Sequence, residues 1–308
     1  MAIPSGTLTG TSAISNLVQT AYDQYVRMAL RSIPVMRALA DVKPVQQAMP
    51  GSSVVFSIYS DLAQATSTLT ESTDVSSIAL GNPNQITVTL QEYGSAVTTT
   101  KKLNLTSFND VDAALADIIA YNAADSIDAV VAGVLTSGTN IIYGGTATNT
   151  AGITAGSTIS VSDIRAAVTN LRSNKALPRI GELYAAYLHP KQTADLRAET
   201  GTGGFQDLSK FVDRTPFVAG AVGVLEGAFI VETPRVPFTS NGTTNVYSAI
   251  VAGREALAEA QGQDISTVIG PQIDALRRFH TIGWYYFGGF ARLREAALYR
   301  IESSASAG

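Results

Sequence analysis

A single long stretch of helical periodicity, over residues 108–136, constrains the fold of this chain more than any other feature. At about 1.5 Å per residue such a helix is about 40 Å long, well beyond the usual length. Ser107 and Asp110 form a start signal of the capping type, and Gly138 follows the end. The apolar positions recur at steps of three and four residues and so share one helix face; they are Val111, Leu115, Ile118, Ile119, Ile127, Val130, Val131, Val134 and Leu135. We therefore predict a spine helix from which the other parts extend.

The opposite face of this predicted helix is acidic and carries no Lys or Arg. Its aspartates are Asp110, Asp117, Asp125 and Asp128. One interpretation is an ordinary solvated charge stripe. However, the helix has none of the (i, i+4) ion pairs that steady a solvated helix, and our preferred hypothesis is that arginines from elsewhere in the chain or from a neighbouring subunit contact it. The candidates for these contacts are Arg27, Arg31, Arg277, Arg278 and Arg294.

The composition indicates a surface that meets protein. Charged residues make up only 15% of the 308 residues and hydrophobic residues 45%, whereas about a quarter of a typical globular chain is charged. The net charge of -4 argues against a nucleic-acid binder that works by long-range attraction, although it allows a weak local contact. The absence of Cys excludes disulfides, thiolate nucleophiles and Cys-ligated metals.

Neither secretion nor membrane insertion is indicated. The first basic residue is Arg27, so the charged region of a signal peptide is missing and cytosolic synthesis is expected. The longest apolar run, near residues 217–225, is too short and too interrupted by Gly to span a bilayer. No membrane partner is therefore predicted.

The first part of the chain predicts two arms of different kinds. After a loose stretch of 11 residues, helical spacing over residues 12–33 gives a first helix, and a further turn beyond Pro34 reaches Leu39. Period-two alternation then marks two strands, near 54–58 and 86–90, on either side of a Ser- and Thr-rich stretch. Because the tip of such a β-arm has too few apolar residues for a core, it is stable only when it lies on another surface.

The second half of the chain mixes helix and strand signals, which is typical of an α/β module. Ser160 or Ser162 caps a helix whose inward residues are Ile164, Val168 and Leu171. A buried strand at 184–188 ends at His189-Pro190, which opens a short helix, and strands follow at 228–231 and 246–251. The Gly-rich stretch 201–204 is interpreted as a flexible loop.

The last predicted elements are two strands, 275–287 and 296–301, around Gly288-Gly289. They carry the densest aromatic cluster of the chain, which includes Trp284, Tyr285, Tyr286, Phe287 and Phe290. We expect this aromatic sheet to cover the apolar face of the spine helix.

No pattern of residues indicates an active site. A G-x-S-x-G elbow and a phosphate-binding P-loop are both missing. The only histidines, His189 and His280, fit a strand-to-helix corner and a strand better than a catalytic or zinc-binding role. A hydrolytic enzyme with paired carboxylates is the remaining catalytic class, but no local feature selects a pair. We therefore predict no catalytic, cofactor-binding or metal-binding residue, and no cofactor.

The order of these parts resembles a tailed-phage major capsid protein of the Hong Kong 97 type over nearly the whole chain. The most specific local sequence is GAVGVLEGAFIVETPRVP at residues 220–237, which looks like a helical turn, a strand and a proline stop late in the A-domain of one large subfamily. Leu188-His189-Pro190 followed by Leu196 looks like the family's strand-to-helix corner, and residues 294–302 are similar to its final P-domain strand.

The resemblance implies an α+β, Hong Kong 97-like capsid fold with four parts. They are an N-arm (1–50), an extended β-hairpin E-loop (51–106), a P-domain (107–157 and 265–308, with the spine helix at about 108–136 and a C-terminal β segment) and an α/β A-domain (158–264). It implies a major capsid protein, with no enzymatic activity, that self-assembles into the icosahedral shell enclosing the double-stranded DNA genome of a tailed phage. The alternatives are an encapsulin-like compartment shell or another self-assembling phage structural protein.

The implied partners are copies of the chain in hexamers and pentamers, and packaged DNA through weak nonspecific contacts. Portal and decoration proteins are further expected partners. No scaffolding segment is recognised before the arm, which suggests a separate scaffolding protein or none. Lys101 and Lys102 stand at the base of the β-arm and not at its tip, so the isopeptide cross-link of some relatives is not carried over. The implied location is the virion capsid, and the host cytoplasm before and during assembly.

Overall fold

A computed structural model of the chain describes residues 31–44, 53–72, 74–75, 77–106, 111–200, 223–271, 276 and 278–306. Several expectations lie outside these residues. They concern the loose arm, most of the first predicted helix, the 201–204 loop, and the side chains of Arg27, Asp110 and Arg277.

The described residues form strands, four α-helices and short 3₁₀ turns. The strands are β1 (Ala40–Pro44), β2 (Ser53–Ile58), β3 (Asn84–Thr89), β4 (Gln91–Thr100), β5 (Ile141–Tyr143), β6 (Tyr184–Leu188), β7 (Val224–Leu225), β8 (Ala228–Glu232), β9 (Phe238–Ser240), β10 (Asn245–Ala252), β11 (Leu257–Ile269), β12 (Phe279–Arg292) and β13 (Leu298–Ser303). The helices are α1 (Lys101–Thr106), α2 (Val111–Thr136), α3 (Val161–Ser173) and α4 (Pro190–Ala198). The 3₁₀ turns are Met36–Leu39, Thr150–Gly152 and Glu295–Ala297.

The strands form three sheets. A four-stranded sheet has the order β1-β11-β12-β4, in which β1 runs parallel to β11 and the other pairs are antiparallel. A seven-stranded sheet has the order β5-β13-β10-β6-β8-β7, with β9 added beside β10. The third sheet is the β2–β3 hairpin, which pairs Val54 with Val88 and Phe56 with Ile86. The two predicted strands of the β-arm are therefore confirmed.

Helix α2 is the predicted spine, with 26 residues from Val111. Its buried side chains Leu115, Ile119, Ala123 and Ile127 pack against a β12 surface formed by Ile282, Trp284 and Tyr286. This contact confirms that the aromatic strand covers the apolar helix face, and each side chain buried in this way contributes about 1.5–3 kcal/mol. Ile118 was expected on the same face, but it is 46% exposed.

By length and composition, the part of α2 from Leu115 to Thr136 could also span a membrane, since its mean hydropathy is 1.4. The core helix of a globular protein passes the same test. Here the sheet side of the helix is covered by β12, and its C-terminal half is buried through Val131 and Leu135 against the 3₁₀ turn at Met36–Leu39. We therefore describe α2 as a core helix.

The α/β module follows its sequence prediction closely. Ser160 precedes α3, and its backbone N–H donates to the Asp163 carboxylate over 2.9 Å. Ile164, Val168 and Leu171 are buried in a cluster with residues of the seven-stranded sheet, as expected from their spacing. Residues 224–232 form a hairpin whose two turn residues, Glu226 and Gly227, both have positive φ. This backbone matches a type I′ turn.

The strands around Gly288-Gly289 differ from the prediction. Instead of ending there, β12 continues from Phe279 to Arg292. A Cβ atom at Gly289 would collide with the Thr89 carbonyl oxygen of β3. The glycine therefore lets the hairpin strand cross the backbone of β12 closely, and it does not mark a turn. β13 joins the seven-stranded sheet beside β10, and β11 was missed by the sequence analysis.

Candidate assembly surfaces

Residues 31–44, which we call the docked segment, lie against the body of the protein. Met36 and Leu39 are fully buried in a cluster with Val131 and Leu135 of α2. Residues 40–44 then run beside β11 as β1. Because apolar burial and strand pairing act together here, the segment is an integral part of the subunit.

The Asp128 carboxylate joins this segment to the long helix. Its Oδ1 accepts hydrogen bonds from the backbone N–H groups of Met36, at 2.6 Å, and Arg37, at 3.1 Å. These groups open the 3₁₀ turn at Met36–Leu39, where backbone donors lack partners of their own. Asp128 is 1% exposed, which excludes the alternative interpretation of a solvated stripe for this residue. Its carboxylate acts as a cap supplied from another element.

The other oxygen of Asp128 contacts Arg235, in the loop after β8. Arg235 Nε donates to Asp128 Oδ2 over 2.6 Å, and its Nη1 and Nη2 donate to the side chain and the backbone carbonyl of Asp125. Burial lowers the pKa of the Arg235 guanidinium, but the hydrogen bonds and charges of the two aspartates outweigh it and raise the pKa overall. Arg235 therefore stays charged and links the α/β module to α2.

A second ionic contact joins the docked segment to the four-stranded sheet. Arg37 donates to the Glu259 carboxylate on β11, with Nη2 at 2.6 Å from Oε1, and it also contacts Asp264 at 3.1 Å. The hydroxyl of Tyr286 donates to the same Glu259 over 2.9 Å. Burial, followed by the charge of Glu259, raises the pKa of Tyr286. Glu259 is completely buried, so its charge depends on Arg37 for compensation.

Only some of the residues named from sequence form the predicted charge contacts within the subunit. Asp117 pairs with Arg31 at 3.0 Å. Asp125 and Asp128 meet Arg235, which the sequence analysis did not name. Arg278 lies over the ring of Phe279. Within the subunit, Arg294 contacts Glu255 and not a helix aspartate, with its Nε 2.7 Å from Glu255 Oε2.

Arg235 and Glu259 are the structurally important charges that the sequence analysis missed. Arg235 stands in Thr233-Pro234-Arg235-Val236-Pro237, where two prolines fix the loop that presents it. That rigid setting was the only available signal. Glu259 lies in a run of small and polar residues from Ala256 to Gln263, and nothing in that run marks it as buried.

The hairpin presents the opposite kind of surface. Between β2 and β3, which we call the hairpin loop (residues 59–83), every described residue from 59 to 82 is exposed. The loop nevertheless carries several large apolar side chains, and none of its described residues lies in a helix or strand. These side chains are Tyr59, Leu62, Leu69, Val75, Ile78 and Leu80, with exposures from 56% to 77%. Such an apolar concentration on a surface indicates a contact with another molecule.

His189 lies at the start of α4, and His280 lies on β12. His189 precedes α4, its Nδ1 accepts from the Lys191 backbone N–H over 3.2 Å, and its ring lies 4.5 Å from that of Tyr247. Burial and the nearby charge of Lys191 lower the pKa of His189. Among the described residues, no cluster of three or more His, Asp or Glu side chains is arranged to hold a metal ion.

Comparison with known proteins identifies a family. Residues 11–305 match the family model described as phage capsid protein. Among curated proteins, none matches the chain.

Solved structures of phage capsids have a similar fold. The capsid of cyanophage P-SCSP1u matches with a TM-score of 0.72 and 18% identity, over 95% of this chain and 94% of that chain. The head of Helicobacter pylori bacteriophage KHP40 matches with a TM-score of 0.72 and 14% identity, over 98% and 99% of the two chains. The capsid of Ralstonia phage GP4 matches with a TM-score of 0.70 and 15% identity, over 98% of each chain.

Proposed function

Because this chain belongs to the phage capsid protein family, we propose that its copies form hexamers and pentamers of an icosahedral shell around the double-stranded DNA genome of a tailed phage. The chain is a major capsid protein that forms the phage shell, and its fold is Hong Kong 97-like. The hexamers and pentamers, the icosahedral symmetry and the enclosed DNA genome are the parts that we propose.

We further propose four parts within the subunit. Residues 1–50 form the N-arm, residues 51–106 the E-loop, residues 107–157 and 265–308 the P-domain, and residues 158–264 the A-domain. The separate two-stranded sheet of β2 and β3 and the packing of α2 on β12 support this division. Two strands bridge the parts, because β11 runs across residue 264 and β13 pairs with β10.

The exposed hairpin loop carries the proposal. Its apolar side chains have no core of their own, and a two-stranded hairpin is at best marginally stable alone in water. In a head-to-tail assembly, the loop of each subunit contacts a different surface on the next one, and the contacts close into rings when the rotation between subunits closes. Each copy then completes its neighbour.

The charge balance fits a shell protein better than a protein that binds nucleic acid tightly. A net charge of -4 with 15% charged residues leaves large uncharged surfaces for subunit contacts. Packaged DNA then meets the inner wall through weak, salt-sensitive, nonspecific contacts. Assembly in the host cytoplasm, and contacts with scaffolding, portal and decoration proteins, belong to the same proposal.

Electron microscopy of the purified full-length chain tests this function. We expect closed shells from the wild type. The double variant L69S/I78S removes apolar side chains that are 77% and 68% exposed, so we expect folded subunits that no longer assemble. L177S is the matched control, since Leu177 is 58% exposed but lies in the α/β module, and it should still form shells.

Two results would contradict the proposal. One is a wild-type chain that remains a folded monomer at every concentration, and the other is full assembly by the double variant. The contents of shells from infected cells test the finer statement. DNA supports a phage head, whereas an enclosed enzyme would instead indicate a compartment of the encapsulin type.

A further inference from the structure

One carboxylate joins three distant regions of the chain. Asp128 on α2 accepts from the backbone of Met36 and Arg37 with one oxygen and from Arg235 with the other. The contacts to the docked segment span 92 and 91 residues, and the contact to Arg235 spans 107. The arrangement, which we call the Asp128 junction, therefore holds the docked segment, the spine helix and the α/β module at a single point.

The junction is largely shielded from solvent. The Asp128 side chain is 1% exposed and that of Arg235 12%. Arg235 also donates to Asp125 on the next turn of α2 and to Ser32 Oγ at 3.3 Å. A planar guanidinium that meets several acceptors fixes both distance and orientation, which a single-point ammonium cannot do.

On one side of the junction, side-chain packing is incomplete. A cleft of about 420 Å³ lies between α2 and the loop that carries Arg235. Its walls include Ala132, Gly133, Pro234 and Pro237, whose small or rigid side chains do not interlock across the gap. Next to the cleft, Val236 of the loop is buried in one cluster with Val131 and Leu135 of α2. Apolar packing therefore holds the loop to the helix, and the guanidinium adds the directional contacts that fix its orientation.

We propose that Arg235 is a positioning residue that sets the angle between the α/β module and the spine helix, and that Asp128 makes this angle depend on docking of residues 31–44. Without the docked segment, the Asp128 carboxylate loses two donors and can turn away from Arg235. With it, both oxygens are held and the guanidinium has one orientation.

This inference rests on the proposed assembly, because the angle matters most when it is repeated. In a head-to-tail ring, a small change in the rotation between subunits turns a closed object into an open helical one. Arg235 therefore acts on the shape of the assembly and not only on the stability of its subunit.

The test compares R235M with V236A and R165M. R235M leaves Asp128 buried without its counter-charge, so water must enter and the docked segment must loosen. Val236 is 1% exposed in the same loop, so V236A lowers stability while Arg235 stays in place. R165M removes another arginine of the module, whose partner is Glu226 at 2.9 Å.

Two measurements are made on each variant. In unassembled subunits of R235M, we expect amide hydrogen exchange at Met36 and Arg37 to accelerate by about tenfold or more, since their acceptor is disturbed. In assembled material, electron microscopy should show tubes, open sheets or shells of mixed diameter. V236A and R165M should keep slow exchange at these amides and shells of wild-type diameter.

The proposal is overturned if R235M forms shells of wild-type diameter, if exchange at Met36 and Arg37 is unchanged, or if V236A changes assembly shape as R235M does. Should R235M be insoluble, R235K decides, because lysine reaches one aspartate at a time. Mixed products support a positioning role, and wild-type shells overturn it. Failure of the wild-type chain to assemble would instead refute the proposed function, and the exchange measurement on subunits is independent of that result.

Discussion

The docked segment and the hairpin loop both extend beside the body of the subunit, yet they differ in how far their apolar side chains are buried. The docked segment buries Met36 and Leu39 completely and pairs Arg37 with a buried glutamate. The hairpin loop exposes Leu69 and Ile78 by 77% and 68%. Within the described residues, the first stretch buries its central side chains in its own subunit, although Ile33 and Val42 stay 77% and 52% exposed. The second stretch buries none of its large apolar side chains.

The difference teaches which interactions belong to folding and which to assembly. Burial and ion pairing that are satisfied within one chain contribute to subunit stability whether or not neighbours are present. Apolar side chains left exposed contribute little until an interface covers them. Mutations in the two stretches should therefore separate stability from assembly.

The largest expected effect on stability comes from R37M. It leaves Glu259 completely buried without its cation, and breaking a buried ion pair in this way costs about 3–5 kcal/mol. Urea unfolding of unassembled subunits measures the change. The control R165M breaks an exposed pair and should leave the unfolding midpoint unchanged; an equal loss in both variants would contradict the special role of the docked segment.

The next effect comes from shortening a buried side chain of the same segment. Leu39 is fully buried against Val131 and Leu135, so L39A should lower the free energy of unfolding by about 2–5 kcal/mol. L69A in the hairpin loop makes the same chemical change at an exposed site and should alter it by less than about 0.5 kcal/mol. Similar losses at both sites would remove the distinction between the two regions.

A smaller effect is expected where the hairpin meets the body. At Gly289, an added Cβ collides with the Thr89 carbonyl oxygen and lies 2.9 Å from Val88. G289V should therefore displace the base of the hairpin at a cost of about 1–3 kcal/mol, and assembly should fall further than stability does. G156A places a Cβ in open space and should change neither quantity. Normal shells from G289V would show that the crossing is not needed.

The smallest effect on stability should accompany the complete loss of assembly. Replacing residues 59–83 by Asn-Gly joins Ile58 to Asn84, which already face each other in the hairpin, through a type I′ turn. Because a shorter loop costs less closure entropy, the subunit should be no less stable than the wild type, yet it should form no shells by light scattering or microscopy. Assembly by this shortened chain would place the essential contact elsewhere.

The elements that sequence reasoning found are those whose signal is local. The helix period predicted α2, and the alternation at Val54, Phe56, Ile86 and Val88 predicted the hairpin strands. The His189-Pro190 corner predicted the start of α4. In each case the residues that make the pattern also make the element, so no distant partner had to be known.

The elements that it missed depend on distant partners. β11 is a strand because β1 and β12 flank it. Its own sequence, LAEAQGQDISTVI, has little β-strand character. Gly289 is an interior strand residue because it pairs with Ala260 of β11, whereas glycine pairs alone indicate a turn. Arg235 and Asp128 are separated by 107 residues in the sequence, and no local pattern predicts their contact. The contacts of the candidate site therefore depend mostly on tertiary structure, and local sequence patterns could not predict them.

The most direct measurement is amide hydrogen exchange, residue by residue, in unassembled subunits and in closed shells of the wild-type chain. We expect residues 31–44 to be protected in both states, and the hairpin loop to gain protection of about tenfold or more only in shells. A loop that exchanges equally fast in closed shells would contradict the claim that copies of the chain complete it.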